Sequence, residues 1–143
     1  MLRVSSRFVR SALAFFASIF LVSGCGTAGG KVPVTEMTAK MDAAGVQVVD
    51  VDAHSFYFKP SRIIVESGKP VMLVIHFKSL FVPHNLTCVE GDAGISVSKS
   101  AGFMSFRRTK RVKFTPTKPG EYEFFCHVGS HSKKGMMGTI VVR

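Results

Sequence analysis

The sequence predicts an all-β domain, a two-sheet Greek-key sandwich or barrel of about seven to nine short strands, over residues 46–143. From Val46 onward, short β-branched and aromatic runs alternate with Gly, Pro, Asp and Lys, a texture typical of sandwiches and barrels. No long amphipathic segment competes with these runs, so a helical domain is not expected.

Turn residues separate the predicted strands along the chain. The strands are residues 46–51, 55–58, 62–65, 71–77, 85–89, 95–97, 111–115, 121–126 and 138–142. The segments Lys59-Pro60-Ser61, Ser67-Gly68-Lys69-Pro70, 90–92 and 116–120 supply the Pro and Gly chemistry that ends strands and reverses the chain. We see no internal repeat, so one domain is expected.

The first 24 residues predict an export signal rather than part of the fold. Arg3, Arg7 and Arg10 form a positive region before the apolar run 12–22, and small residues precede Cys25. The apolar run is short for a permanent membrane helix, so cleavage before Cys25 is the better interpretation.

The segment Val22-Ser23-Gly24-Cys25 resembles the bacterial lipobox, in which the signal is removed at a Cys whose thiol receives diacylglycerol. The resemblance implies lipidation at Cys25 and a membrane-anchored protein of the cell envelope or periplasm. An ordinary signal peptide with a nearby Cys is the alternative. Residues 25–45, which are rich in Gly, Thr, Ala and Lys and lack periodicity, are predicted to be a flexible tether.

The charge of the chain limits its partners. The full chain carries +10; without residues 1–24 it keeps 16 basic and 9 acidic residues, a net +7. Because the protein is expected to be exported, it is not expected to bind nucleic acid. The charge instead favours acidic protein surfaces or anionic membrane, and a monomer is expected.

A metal-binding pattern lies between the last two predicted strands. Cys126, His131 and Met136 follow one another as Cys-x4-His-x4-Met. A thiolate, an imidazole and a thioether form a soft donor set that suits copper, and a two-His, one-Cys site with weak axial Met needs one further His. His84, at the start of a predicted strand about forty residues earlier, is the best candidate.

The chain resembles the cupredoxin family, which includes the blue-copper proteins. The resemblance is carried by residues 56–60, 65–71, Pro83-His84-Asn85, 116–122, Phe125-Cys126 and 135–142. It implies a cupredoxin-like fold and one copper ion bound by His84, Cys126, His131 and Met136. It also implies that Asn85 fixes the ligand loop by hydrogen bonding, and that Met136 rather than Met137 is the axial ligand.

Electron transfer between redox protein partners is the expected function, with acidic partners favoured by the basic charge, and no enzyme activity is expected. Three alternatives stay open: a copper chaperone or store, a metal-free structural module, and a red-copper variant with a carboxylate ligand from Glu66 or Glu90. A disulfide between Cys88 and Cys126 would destroy the site. Ser130 stands where a binuclear copper loop would need a second Cys, so a mononuclear site is predicted.

Overall fold

The structure, a computed structural model, describes residues 33–143. It contains eleven strands and two short 3-10 turns. The strands are β1 Glu36–Thr38, β2 Lys40–Met41, β3 Gln47–His54, β4 Tyr57–Lys59, β5 Arg62–Val65, β6 Val71–Phe77, β7 His84–Glu90, β8 Ile95–Ala101, β9 Thr109–Phe114, β10 Gly120–Phe125 and β11 Met137–Val142; the turns are Gly91–Ala93 and Ser132–Lys134.

The strands form two sheets, which confirms the predicted all-β Greek-key sandwich. One sheet has the order β1-β5-β11-β10-β7-β8, and the other has the order β2-β3-β6-β9, with β4 paired to β3. Both sheets are mixed, since β3 runs parallel to β6 and β5 runs parallel to β1 and β11.

The core lies between the sheets and follows the two-residue period of the strands. In β3, Val49, Val51 and Ala53 are buried while Asp50 is exposed, because successive side chains in a strand point to opposite faces. The other sheet contributes buried residues such as Leu86, Val97, Phe124 and Ile140. This rigid core supports the strand ends that carry the candidate ligands.

Residues 36–41 are more ordered than the sequence predicted. Strands β1 and β2 lie within residues 25–45, the predicted tether, so the folded part of the chain begins before residue 46. Strand β1 adds to β5, and Arg62 bonds Glu36 across this pair at 3.0 Å. Strands of two or three residues are too short to show an alternating pattern in the sequence.

The predicted export signal and Cys25 lie outside the described residues. Between residues 33 and 143, no helix has the length and apolar character needed to cross a membrane.

Candidate metal centre

Neighbouring strands bring the first two candidate ligands together. His84 is the first residue of β7, and Cys126 directly follows β10. These two strands are adjacent and antiparallel, with Phe125 opposite Thr87. Two residues that are 42 positions apart in sequence therefore lie at the same end of one sheet.

A closed loop supplies the remaining candidates. The main-chain N–H of Cys126 donates to the carbonyl oxygen of Met136 at 3.1 Å, and the N–H of Met136 donates to the carbonyl oxygen of His131 at 3.0 Å. Gly135, with φ of 99°, ends the 3-10 turn before Met136, in a conformation that glycine adopts without strain. The loop thus fixes all three residues relative to β10 and β11.

The side chains of His84, Cys126 and His131 form a compact cluster. One donor atom from each lies within 4.8 Å of the others, and Sγ of Cys126 is 3.5 Å from Nδ1 of His131. His84, Cys126 and Met136 are all but fully buried, whereas His131 is partly exposed. The cluster therefore meets solvent mainly through His131.

The imidazole of His84 has the properties of a metal ligand. Both ring nitrogens are buried, and neither has a hydrogen-bond partner among residues 33–143, although buried polar atoms left unpaired are costly. Burial, followed by the charges of His131 and Arg108, lowers the pKa of His84 to about 4. The ring is therefore neutral at pH 7, and a bound metal would use a nitrogen that the protein leaves unpaired.

His131 and Cys126 complete a donor set that fits copper. Burial, followed by the charge of Lys134, lowers the pKa of His131, so this imidazole is also mainly uncharged at neutral pH, with one ring nitrogen available as a donor to a metal. Two neutral imidazoles, one thiol that binds as thiolate and the thioether of Met136, which is buried on the same loop, match the donor set of the trigonal copper site with weak axial Met.

Asn85 links the two segments that carry the ligands. Its side-chain oxygen Oδ1 accepts the main-chain N–H of His127 at 2.7 Å, and its own main-chain N–H donates to Sγ of Cys126 at 3.4 Å. The first bond holds the loop against β7, and the second favours the negative charge of a thiolate.

Phe56 contacts the site, a role that the sequence did not reveal. Its ring packs edge-to-face against the ring of His131 with centroids 4.9 Å apart, and Nζ of Lys134 lies 4.5 Å from the Phe56 ring centroid. Phe56 occupies the two-residue turn between β3 and β4 with φ of +71°, a conformation that is unfavourable for bulky side chains. No spacing pattern connects this turn to the ligand loop.

Arg108 is a second residue whose position the sequence did not indicate. Nε of Arg108 donates to the carbonyl oxygen of Phe77 at 2.7 Å. Its Nη2 is buried without a hydrogen-bond partner in the part of the chain that the structure describes. The guanidinium therefore places a positive charge close enough to His84 to affect its pKa.

Four other residues with potential donor atoms lie outside the donor cluster. Cys88 and Cys126 are both free thiols, so the Cys88–Cys126 disulfide is not formed. Cys88 lies in the core, and burial raises its pKa to about 11. Glu66 and Glu90 are exposed at the opposite end of the sandwich. His127 is exposed, and its ring packs on Phe125 with centroids 4.4 Å apart.

The fold and the site define a β-sandwich of the copper-binding type, and sequence comparison agrees. The sequence model of the cupredoxin-like domain matches residues 13–142, and the chain belongs to this family. A search of curated proteins gave no match.

Solved structures share the fold at low sequence identity. The metal-binding domain of the Cu(I)-exporting P-type ATPase CopA of Streptococcus pneumoniae D39 matches with a TM-score of 0.58 and 20% identity, covering 78% of this chain and 99% of that one. Auracyanin from Roseiflexus castenholzii matches with a TM-score of 0.57 and 19% identity, covering 67% of this chain and 96% of that one. Auracyanin A, a "blue" copper protein from Chloroflexus aurantiacus, matches with a TM-score of 0.55 and 20% identity, covering 69% of this chain and 100% of that one. At these identities, the matches show that this chain shares the fold of these proteins.

Copper is therefore the cofactor of this protein. The conclusion depends on the family and on the His84–Cys126–His131 cluster together, since soft sulfur donors combined with imidazoles favour copper over the harder divalent metals.

Proposed function

We propose that this protein is a mononuclear copper protein that carries single electrons between redox partners in the cell envelope. The observation that supports this most directly is the burial of the donor cluster: His84, Cys126 and Met136 are inaccessible, and His131 alone is partly exposed. A catalytic metal site keeps an open position for substrate, whereas burial of three of these four donors favours a closed site.

Bound copper would supply a one-electron couple between Cu(I) and Cu(II). His84, Cys126 and His131 would hold it, with Met136 as a weaker fourth donor. The surrounding residues hold these donors in place: β7 fixes His84, the loop hydrogen bonds fix Cys126 and Met136, and Asn85 ties the two segments together. They would keep the same positions for either oxidation state of the metal. Little rearrangement is then needed when the charge of the metal changes.

Electrons would pass through the partly exposed edge of His131. Lys133 and Lys134 are exposed on the same loop, and their charges favour encounter with an acidic redox partner. We further propose that the protein acts as a monomer and is held at the membrane by lipidated Cys25.

Redox cycling in the presence of a Cu(I) chelator tests the function against copper delivery. The copper-loaded protein is reduced with ascorbate and reoxidised repeatedly while metal transfer to the chelator is followed by absorbance. An electron carrier retains copper over many cycles and shows fast electron self-exchange by NMR line broadening. Loss of the copper in the first reduced period would favour a chaperone or store instead.

The anchor is tested separately by mass spectrometry and fractionation. Lipidation adds diacylglycerol to Cys25, and the substitution Cys25→Ser is expected to abolish this mass increase and membrane attachment. Cys88→Ser is the matched control, because Cys88 is buried in the core and its loss leaves the anchor unchanged. Membrane attachment of Cys25→Ser without acylation would point to an uncleaved signal.

A further inference from the structure

Five exposed apolar side chains lie on two loops beside the metal centre. These loops, residues 78–83 and 102–108, join β6 to β7 and β8 to β9 at the end where His84 begins β7. The apolar patch consists of Leu80, Phe81, Phe103, Met104 and Phe106, and Phe106 is 95% exposed. Isolated exposed apolar residues are ordinary, but a cluster of this kind marks an interaction surface.

The two loops form one surface. The main-chain N–H of Met104 donates to the carbonyl oxygen of Leu80 at 2.9 Å, and the rings of Phe81 and Phe103 have centroids 6.1 Å apart. The apolar patch is therefore held together by the fold.

Charge is distributed unequally between the two ends of the sandwich. We define the copper end as the loops 55–56, 78–83, 102–108 and 126–136. These loops contain five basic residues, Lys78, Arg107, Arg108, Lys133 and Lys134, and no acidic residue. The opposite loops, residues 42–46, 66–70, 91–94 and 115–119, contain three acidic residues and two lysines. Lys78 is paired with Asp52 at 3.0 Å, whereas Arg107, Lys133 and Lys134 are exposed. The apolar patch thus lies on the more positive end of the molecule.

The described chain also begins at the copper end. Pro33 and Val34 line a groove with Gly135 and Met137, and β1 runs from there toward the opposite end, parallel to β11. Seven residues, 26–32, separate Cys25 from Pro33, and this length of chain spans at most about 30 Å when extended. A domain of about 100 residues has a similar diameter. With a lipid on Cys25, the far end could touch the membrane only if this length of chain were almost fully extended, whereas the copper end could touch it at any extension.

We propose that the copper end lies on the membrane surface, where the apolar patch enters the interface and the basic residues bind anionic lipid headgroups. Apolar and aromatic side chains beside Lys and Arg are the combination that binds such surfaces. This inference rests on the proposed lipidation of Cys25. It assigns the basic residues of the copper end, Lys133 and Lys134 among them, to lipid headgroups rather than to an acidic soluble partner. The exposed edge of His131 then faces redox partners that reside in the membrane.

A single tryptophan reports the orientation directly, because the chain contains no Trp. The variant Phe106→Trp, purified with its lipid from membranes and kept reduced, is placed in vesicles of phosphatidylethanolamine and phosphatidylglycerol that contain brominated acyl chains. Its emission is expected to shift to shorter wavelength and to be quenched by the bromine. Val89→Trp is the matched control, since Val89 is 60% exposed at the far end of β7, and its emission should remain unquenched.

The contribution of charge is tested in the same vesicles. The double substitution Arg107→Gln and Lys133→Gln in the Phe106→Trp background should reduce quenching, and so should replacing phosphatidylglycerol with phosphatidylcholine. If Phe106→Trp stays accessible to iodide and unquenched by lipid while the protein is attached, the proposal is wrong and this end is free for a protein partner. Absence of lipid on Cys25 by mass spectrometry also overturns it. The tryptophan emission does not depend on electron transfer, so its failure is distinct from failure of the proposed electron transfer, whereas absence of lipid would overturn the proposed anchor as well.

Discussion

The turn residue Phe56 combines backbone strain with contacts to the metal centre, and two substitutions separate these effects. Its φ of +71° costs about 1–3 kcal/mol for a residue with a side chain. Its edge-to-face contact with His131 stabilises the fold by about 0.5–1.5 kcal/mol, and the cation–π contact with Lys134 stabilises it by about 0.5–1 kcal/mol. The contacts and the strain are therefore of similar size and opposite sign.

Phe56→Ala removes both contacts and keeps the strain, so it should lower the free energy of unfolding by about 1–2 kcal/mol. Phe56→Gly removes the same contacts but relieves the strain, since glycine adopts positive φ freely. After the extra entropy of an unfolded glycine, about 0.4–1 kcal/mol, the Gly variant should unfold within about 1 kcal/mol of the native protein.

Urea unfolding of the copper-free protein measures both free energies. Copper is omitted because a ligand that binds only the folded state adds its own stabilisation. With a slope of about 1–2 kcal/mol per molar urea, the Ala variant should shift its midpoint by roughly 1 M relative to the native protein. A Gly variant no more stable than the Ala variant would refute the strain assigned to Phe56.

Three further predictions concern the site. The pKa of His84 is about 4 in the fold against an ordinary 6.5, so the unfolded state binds a proton first as pH falls. The copper-free protein should therefore lose up to about 3 kcal/mol of stability between pH 6.5 and 4. Urea unfolding at several pH values measures this loss, which should be much smaller in His84→Asn. Met136→Leu should raise the reduction potential measured by voltammetry, because a donor that supports Cu(II) is lost, whereas Met137→Leu, at a 42% exposed position, should leave it unchanged. Cys88→Ala should retain the copper absorption, since Cys88 forms no bond to Cys126; a colour change would contradict its assignment to the core.

The ligand loop could be predicted from the sequence because its donor residues are close together in the chain. Cys126, His131 and Met136 fall within eleven residues between two strands, and donor chemistry alone pointed to copper. His84 required the further assumption that a Greek-key fold joins distant strand ends, and the pairing of β7 with β10 provides that juxtaposition.

Other contacts of the site have no sequence signal. Phe56 reaches His131 only because the turn between β3 and β4 lies at the same end as the copper loop. Arg108 belongs to a basic run that alternates like an exposed strand, and its partial burial follows from the loop that precedes β9. Such contacts depend on how the two sheets are stacked, which period-two patterns leave undetermined.

The visible spectrum of the protein reconstituted with Cu(II) tests the central claim most directly. A thiolate ligand from Cys126 with two imidazoles in a trigonal arrangement should give an intense blue absorption, and Cys126→Ser should abolish it while Cys88→Ser, with its thiol in the core, preserves it. A colourless native protein that binds Cu(II) would contradict the proposed site, and a blue Cys126→Ser variant would exclude Cys126 as the ligand.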